Sequence, residues 1–200
     1  VLFGNRLNNG PPSRYDPTPS YWHNDPAVSG GGSWAGEAAH GIDTFLDLVG
    51  DDEVQAVGAV MSNAMYRRPF EDWGLGVLRT AGGVTAVIEA GYTYPSGVHA
   101  GDHFFRFVGT NAMVFERYDR QYREVIEVHT TEGVEYVSDN GHNERFSGII
   151  EDALNALASG ASFQPSIAQA MRILEVQDAV YAHARANRIT NGPHAMAPVS

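Results

Sequence analysis

Two hundred residues with 43% hydrophobic and 10% aromatic content, 18% charged residues and no cysteine describe one soluble globular domain around a single core, not a disordered chain. Without cysteine there is no disulfide framework and no thiolate metal site, which fits a reducing compartment such as the cytoplasm. No apolar run approaches the roughly 20 residues of a membrane span. Twenty-four acidic against 13 basic residues give a net charge of -11, which repels nucleic-acid phosphates and anionic bilayers; every basic residue is arginine, so lysine acid/base and Schiff-base chemistry are excluded.

Leu2 to Leu7 reads as a short strand. A loop of about two dozen residues follows, carrying Pro11, Pro12, Pro17, Pro19 and Pro26 together with Arg14, Tyr15, Tyr21, Trp22 and His23. Loops of that length inside a domain are either functional or disordered, and this aromatic content points to function. After Gly30-Gly31-Gly32 the period changes: Ala38, Ile42, Phe45, Leu46 and Val49 predict a helix over Ser33 to Val49, stopped at Gly50. The stripe Trp34, Glu37, His40, Asp43 is expected on the side facing away from that apolar face.

Strand signals then run through Val54 to Met61, Gly74 to Thr80, a Gly82-Gly83 turn, Val84 to Tyr94, His103 to Val108, Ala112 to Tyr118, Glu124 to Thr130 and Val134 to Ser138. Two amphipathic helices close the chain. Phe146, Ile149, Ile150, Ala153, Leu154 and Leu157 make one stripe, and Ile167, Ala170, Met171, Leu174 and Tyr181 the other, with a frayed tail expected from 190 to 200. The predicted fold is α+β: one open, largely antiparallel sheet with helices packed on one face, in a single domain over 1–189. Apolar residues on both sheet faces predict that the other face is an interface.

Glu37, His40 and Asp43 are the first candidates for chemistry, because carboxylates three residues to either side of an imidazole can set its tautomer and help it shuttle a proton. The same spacing also describes a polar helix face turned to water. Arg14, Tyr15, Trp22 and Trp34 offer guanidinium donors and flat apolar faces suited to a polyhydroxylated ligand; anchoring the long loop is the alternative. His99 and His103 have a His-x-x-x-His spacing but stand at a loop-to-strand junction with a glycine between them, so no metal site is expected. No serine-hydrolase elbow, P-loop or strand-borne dinucleotide fingerprint is present. Gly30 to Gly32, before a helix, is a weak phosphate candidate.

The run Gly30-Gly31-Gly32, then Gly36-Glu37-Ala38-Ala39-His40-Gly41-Ile42-Asp43, then a helix stop at Gly50 before Glu53-Val54-Gln55-Ala56-Val57, resembles the C-terminal domain of the Gfo/Idh/MocA oxidoreductases. The similarity continues through Glu71-Asp72, the Gly82-Gly83 turn, Phe107-Val108-Gly109-Thr110 and the closing helices. It implies a two-domain enzyme whose N-terminal Rossmann domain binds NAD or NADP and carries the catalytic lysine. This chain corresponds to the second part, inactive alone, and its opening in a strand without Met is expected of a piece of a longer protein.

The resemblance also implies a sugar or polyol substrate, bound by Asp43, Trp34, Trp22, Arg14 and Tyr15, an oligomer formed through the open sheet face, and His40 at the reacting hydroxyl, with Asp43 also orienting or supporting the helix. Many members carry Asp four residues before the histidine. Here that position is Gly36, and Glu37 follows the Gly-Glu-x-x-His-x-x-Asp version, making Glu37 the second acid/base candidate. The competing readings are a non-catalytic carbohydrate-binding module that kept the fold and a purely structural oligomerisation domain.

Overall fold

The predicted strand run forms eight strands among the residues described by the computed structural model, which are 1–15, 22, 25–95, 101–119, 121, 123–138, 142–163 and 165–187. In chain order they are β1 (Leu2–Asn8), β2 (Val54–Ser62), β3 (Trp73–Thr80), β4 (Thr85–Gly91), β5 (Asp102–Val108), β6 (Met113–Tyr118), β7 (Glu124–Thr130) and β8 (Gly133–Ser138). They lie side by side in one open sheet in the order β2-β3-β4-β1-β5-β6-β7-β8. All neighbours are antiparallel except β1 and β4, paired in parallel from Leu2 opposite Thr85 to Asn8 opposite Gly91. Because β1 fills the gap between β4 and β5, which run in opposite directions, it must run parallel to one of them.

The long loop after β1 is less bare than its prolines suggest. It holds a 3-10 turn at Pro12–Tyr15 and the short helix α1 (Pro26–Ser29), whose N-cap Asp25 accepts the Ala27 N–H at 3.0 Å. Helix α2 (Ser33–Val49) keeps its predicted bounds and ends where Gly50 takes φ 62° and donates to Leu46 O. Helices α3 (His142–Ser159) and α4 (Ile167–Ala186) complete the chain, the latter opened by a capping box between Ser166 and Gln169.

The core lies between α2, α4 and the inner half of the sheet. Phe3, Leu78, Ala86, Ile88 and Ala90 meet Trp34, Ala38, Ile42, Phe45 and Leu46 of α2 and Val176 and Val180 of α4. Phe3 and Phe45 stack at 5.7 Å. Glycines on β3 make room for the largest side chain: a Cβ at Gly76 would stand 2.7 Å from the Trp34 ring.

Two expected helix faces require correction. The face α4 turns inward is Val176, Gln177, Val180 and, half-buried, Ile173 and Tyr181, while Ile167, Met171 and Leu174 are exposed. α4 carries two apolar stripes, and packing chose the one that includes Gln177. Phe146, Ile149, Ile150, Leu154 and Leu157 of α3 also point outward, so among the described helices α2 and α4 provide the main cover of the sheet. No described helix is long and apolar enough to cross a membrane. The tail expected to fray falls outside the described residues.

Candidate functional site

A helix exposes unsatisfied N–H groups at its first turn, and the N-cap of α2 is Gly32, which has no side chain to satisfy them. Glu71, just before β3, supplies the acceptors. Its Oε1 receives the N–H of Gly32 at 2.7 Å and of Trp34 at 3.0 Å, and its carbonyl receives the N–H of Ser33 at 3.2 Å. The Tyr181 hydroxyl of α4 donates to the same Oε1 at 2.7 Å. Burial pushes the Glu71 carboxyl up, against the pull of those donors. The Tyr181 phenol is raised by burial and by the Glu71 carboxylate, so it stays protonated and donates. Gly30 to Gly32 therefore offers no phosphate site: the N–H groups are already taken, that of Gly30 by Pro26 O, that of Gly31 by Ser29 Oγ and that of Gly32 by the Glu71 carboxyl, an acidic group where a phosphate would sit.

Along α2 the expected polar stripe divides. Trp34 is buried in the core, so its indole is not available to a ligand, and Glu37 is only 8% exposed. Both were expected on the outer side. The reason is that α2 is covered by the sheet and by α4 together, and the buried arc wraps past half of the helix. The stripe actually facing outward is Gly36, His40, Asp43 and Asp47, with His40 and Asp47 exposed and Gly36 and Asp43 half-buried. Burial, with the negative charge of Asp47, raises the Asp43 carboxyl, and His40 opposes that rise. Beside His40, Gly36 leaves room: a Cβ there would find only the Tyr92 hydroxyl, at 3.6 Å.

Deeper in the same helix, Gly41 crosses β1 closely; a Cβ would lie 2.2 Å from Asn5 Oδ1. Asn5 is itself tied to β5 by donating to Phe104 O at 3.1 Å. This contact seats the His40 segment directly over the central strand.

Two clefts open near the ends of the strands. One, of about 690 Å³, is bordered by Asn8, Tyr94, Asp102, His103, Phe104 and Arg117, among others. In it His103 Nε2 meets Asn9 Oδ1 at 3.1 Å and its ring lies 5.6 Å from that of Tyr118; His99 lies outside the described residues. The second, of about 400 Å³, is bordered by Pro11, Pro12, Ser13, Tyr66, Arg68, Pro69 and Phe70. Arg14 and Tyr15 complete the 3-10 turn that supplies Pro12 and Ser13, and their side chains fall outside what is described. Trp22 is 43% exposed. The described lining of neither cleft includes Glu37, His40 or Asp43.

The model of the GFO/IDH/MocA C-terminal domain matches residues 4–115, more than half of the chain. The chain belongs to the GFO/IDH/MocA family. Among solved structures, the fold of this GFO/IDH/MocA domain is similar to a levoglucosan dehydrogenase in complex with NADH and levoglucosan, with TM-score 0.76 and 22% identity over 93% of this chain and 56% of that one. It is similar also to a 3-ketoreductase from Actinomadura kijaniata in complex with TDP-benzene and NADP, with TM-score 0.67 and 21% identity over 91% and 53%. An oxidoreductase domain protein from Kribbella flavida gives TM-score 0.75 at 15% identity over 94% and 56%. The chain thus spans just over half the length of these proteins. No curated protein matches it.

Within the GFO/IDH/MocA frame, reading the sequence missed Glu71, Tyr181, Asn9 and Tyr118. Glu71-Asp72 stood out only as part of a resemblance, because a cap arriving from 39 residues along the chain has no local signature. His103 was weighed only as a metal ligand, whereas its ring is held by an amide and a tyrosine.

Proposed function

We propose that this chain is the substrate-binding and catalytic half of an NAD(P)-dependent oxidoreductase acting on a hydroxyl of a sugar or polyol, and that the whole protein works in the cytoplasm as an oligomer joined through the open sheet face. The observation that carries the reading is the outer stripe of α2. In a chain of this family, the histidine at the family's substrate position is exposed, flanked by Asp43 and by the open space at Gly36.

In this reading His40 takes the proton of the reacting hydroxyl during oxidation and returns it during reduction. Asp43, in electrostatic contact with His40, steadies the imidazolium formed in between. Glu37, buried one turn earlier, is the second acid/base candidate. Arg14, Tyr15 and Trp22, on the loop after β1, are assigned to hold the remaining hydroxyls; Trp34 is withdrawn from that group because it lies in the core. The nicotinamide, when bound, supplies the hydride acceptor. The chain's glycine turn does not fit its phosphates, so they are assigned to a Rossmann domain of the whole protein, and no metal is invoked.

The test is His40→Ala in the two-domain protein. Turnover is expected to fall about 10²-fold or more with NADH affinity kept, and the 200-residue chain by itself is expected not to bind NADH or NADPH. Unchanged turnover would favour the non-catalytic module instead.

A further inference from the structure

We propose that Glu71, clasped between the first turn of α2 and the Tyr181 hydroxyl, is a positioning residue that sets where α2 presents His40. The inference rests on the catalytic reading of α2. Its structural basis is independent of that reading.

A serine at the N-cap would satisfy an orphan N–H without burying a charge. The chain instead places a glycine there and brings a carboxylate, 2% exposed, from the approach to β3. That choice ties three elements at one atom: α2 through Gly32 and Trp34, the sheet through Glu71, and α4 through Tyr181. The turn is built around the clasp. A Cβ at Gly31 would stand 2.1 Å from the Tyr181 hydroxyl, and one at Gly32 would stand 2.1 Å from the Glu71 carbonyl oxygen. A negative group at a helix N-terminus is also where the helix dipole favours it.

The rest of α4 acts as a splint along α2. Gln177 donates to Ala35 O at 3.0 Å in the first turn, and beyond the far end Arg172 donates to Gly50 O at 2.5 Å and Asp52 O at 2.6 Å. α2 is therefore pinned at its start and just past its end, and His40 lies between the pins on the uncovered side. A helix rises about 1.5 Å per residue, so a small slip along its axis moves the imidazole by a distance that costs on the order of 10²-fold in rate. A cap chosen only for helix stability would not need to be shared with α4.

The experiment uses the two-domain protein with Glu71→Ala, Glu71→Gln, Tyr181→Phe and His40→Ala, and the Glu71→Ala/His40→Ala double variant. Glu71→Ala is expected to lower kcat about 10- to 100-fold, with NADH affinity within about twofold, as binding outside this chain requires. Glu71→Gln, whose amide oxygen still accepts both N–H groups, restores most of the rate, and Tyr181→Phe falls between the two. The double variant is no slower than His40→Ala, because a residue that acts through another adds nothing once that other is gone. Amide hydrogen exchange is expected to quicken in Glu71→Ala at Gly32 and Trp34, whose acceptor is lost, and along the first turns of α2 to His40.

Full additivity of the two losses, or unchanged exchange across α2, overturns the positioning role. If Glu71→Ala does not fold, Glu71→Gln and Tyr181→Phe carry the same comparisons. Unchanged turnover in His40→Ala overturns the catalytic reading instead, while the exchange result still decides whether the clasp holds α2.

Discussion

Strands β3 and β4 alternate almost throughout, with buried residues toward the helices and more open ones away from them, whereas β5 and β6 are partly exposed at almost every position on both faces. The two halves are made of similar strands. What differs is cover: α2 and α4 lie chiefly over β1 to β4, and of the described residues of β5 to β8 Phe105 and Phe107 alone are packed against the core, both half-buried. Phe104 and Phe115 on one face and Ile126 and Val128 on the other are as apolar as the residues of the covered half, yet none reaches full burial. The comparison separates a half whose residues are fixed by folding from a half whose residues are available to something else. The histidine stripe belongs to the boundary, on the helix that closes the covered half.

The sharpest way to break this comparison is to empty the covered half. Trp34→Ala removes a fully buried side chain seated over Gly74 and Gly76, and an aromatic-to-alanine change of this kind costs about 3–5 kcal/mol. A denaturant titration of the chain should show that loss. A change below about 1 kcal/mol would mean that the indole is not core, returning it to the ligand-binding role expected from sequence.

A smaller effect tests the seam between the halves. On the open face Glu89 of β4 accepts from Trp73, Asn8 and Arg6, and Arg6 reaches on to Asp102 of β5. Burial pushes the Glu89 carboxyl up, but those donors and the Arg6 charge outweigh it and hold the carboxyl below the ordinary glutamate range. The stability it contributes is therefore present above that range and lost as the pH falls through the lowered folded-state value. Glu89→Gln is expected to be less stable by about 1 kcal/mol at pH 7, with the gap to the parent closing in acid. Melting curves from pH 7 downward read this; a gap that widens in acid would mean the carboxyl is raised, not lowered.

How much of this was legible depended on the range of the interaction. Strand alternation and the α2 period are local, and both gave correct elements, down to the Gly50 stop. The parallel pairing of β1 with β4 is set by strands nearly eighty residues apart, and no local pattern announces it. Trp34 and Glu37 were misplaced because a one-sided apolar stripe assumes one covering surface, while α2 has two. The same limit hid the inward face of α4, where Gln177 stands among the buried residues because it reaches the carbonyls of α2. Glu71 was visible as a residue but not as a cap, since its partners lie in the glycine turn and in α4. His40, singled out by resemblance in the sequence, stands exposed on the outer side of α2.

The smallest expected effect probes the bare half directly. Tyr136 on β8 stands opposite Glu127 in the register, on the open face, and is 69% exposed. Exposed substitutions away from caps, cores and buried pairs stay within about 0.5 kcal/mol, so Tyr136→Ser should leave the melting of the dilute chain unmoved. The proposed oligomer would not be indifferent: aromatic side chains contribute strongly to association surfaces, and sedimentation at rising protein concentration should show weaker self-association in the variant. The two readouts together fix what the bare half is for. Loss of melting temperature without change in association would make β8 part of the fold's own core, and loss of association without change in melting would make it an interface.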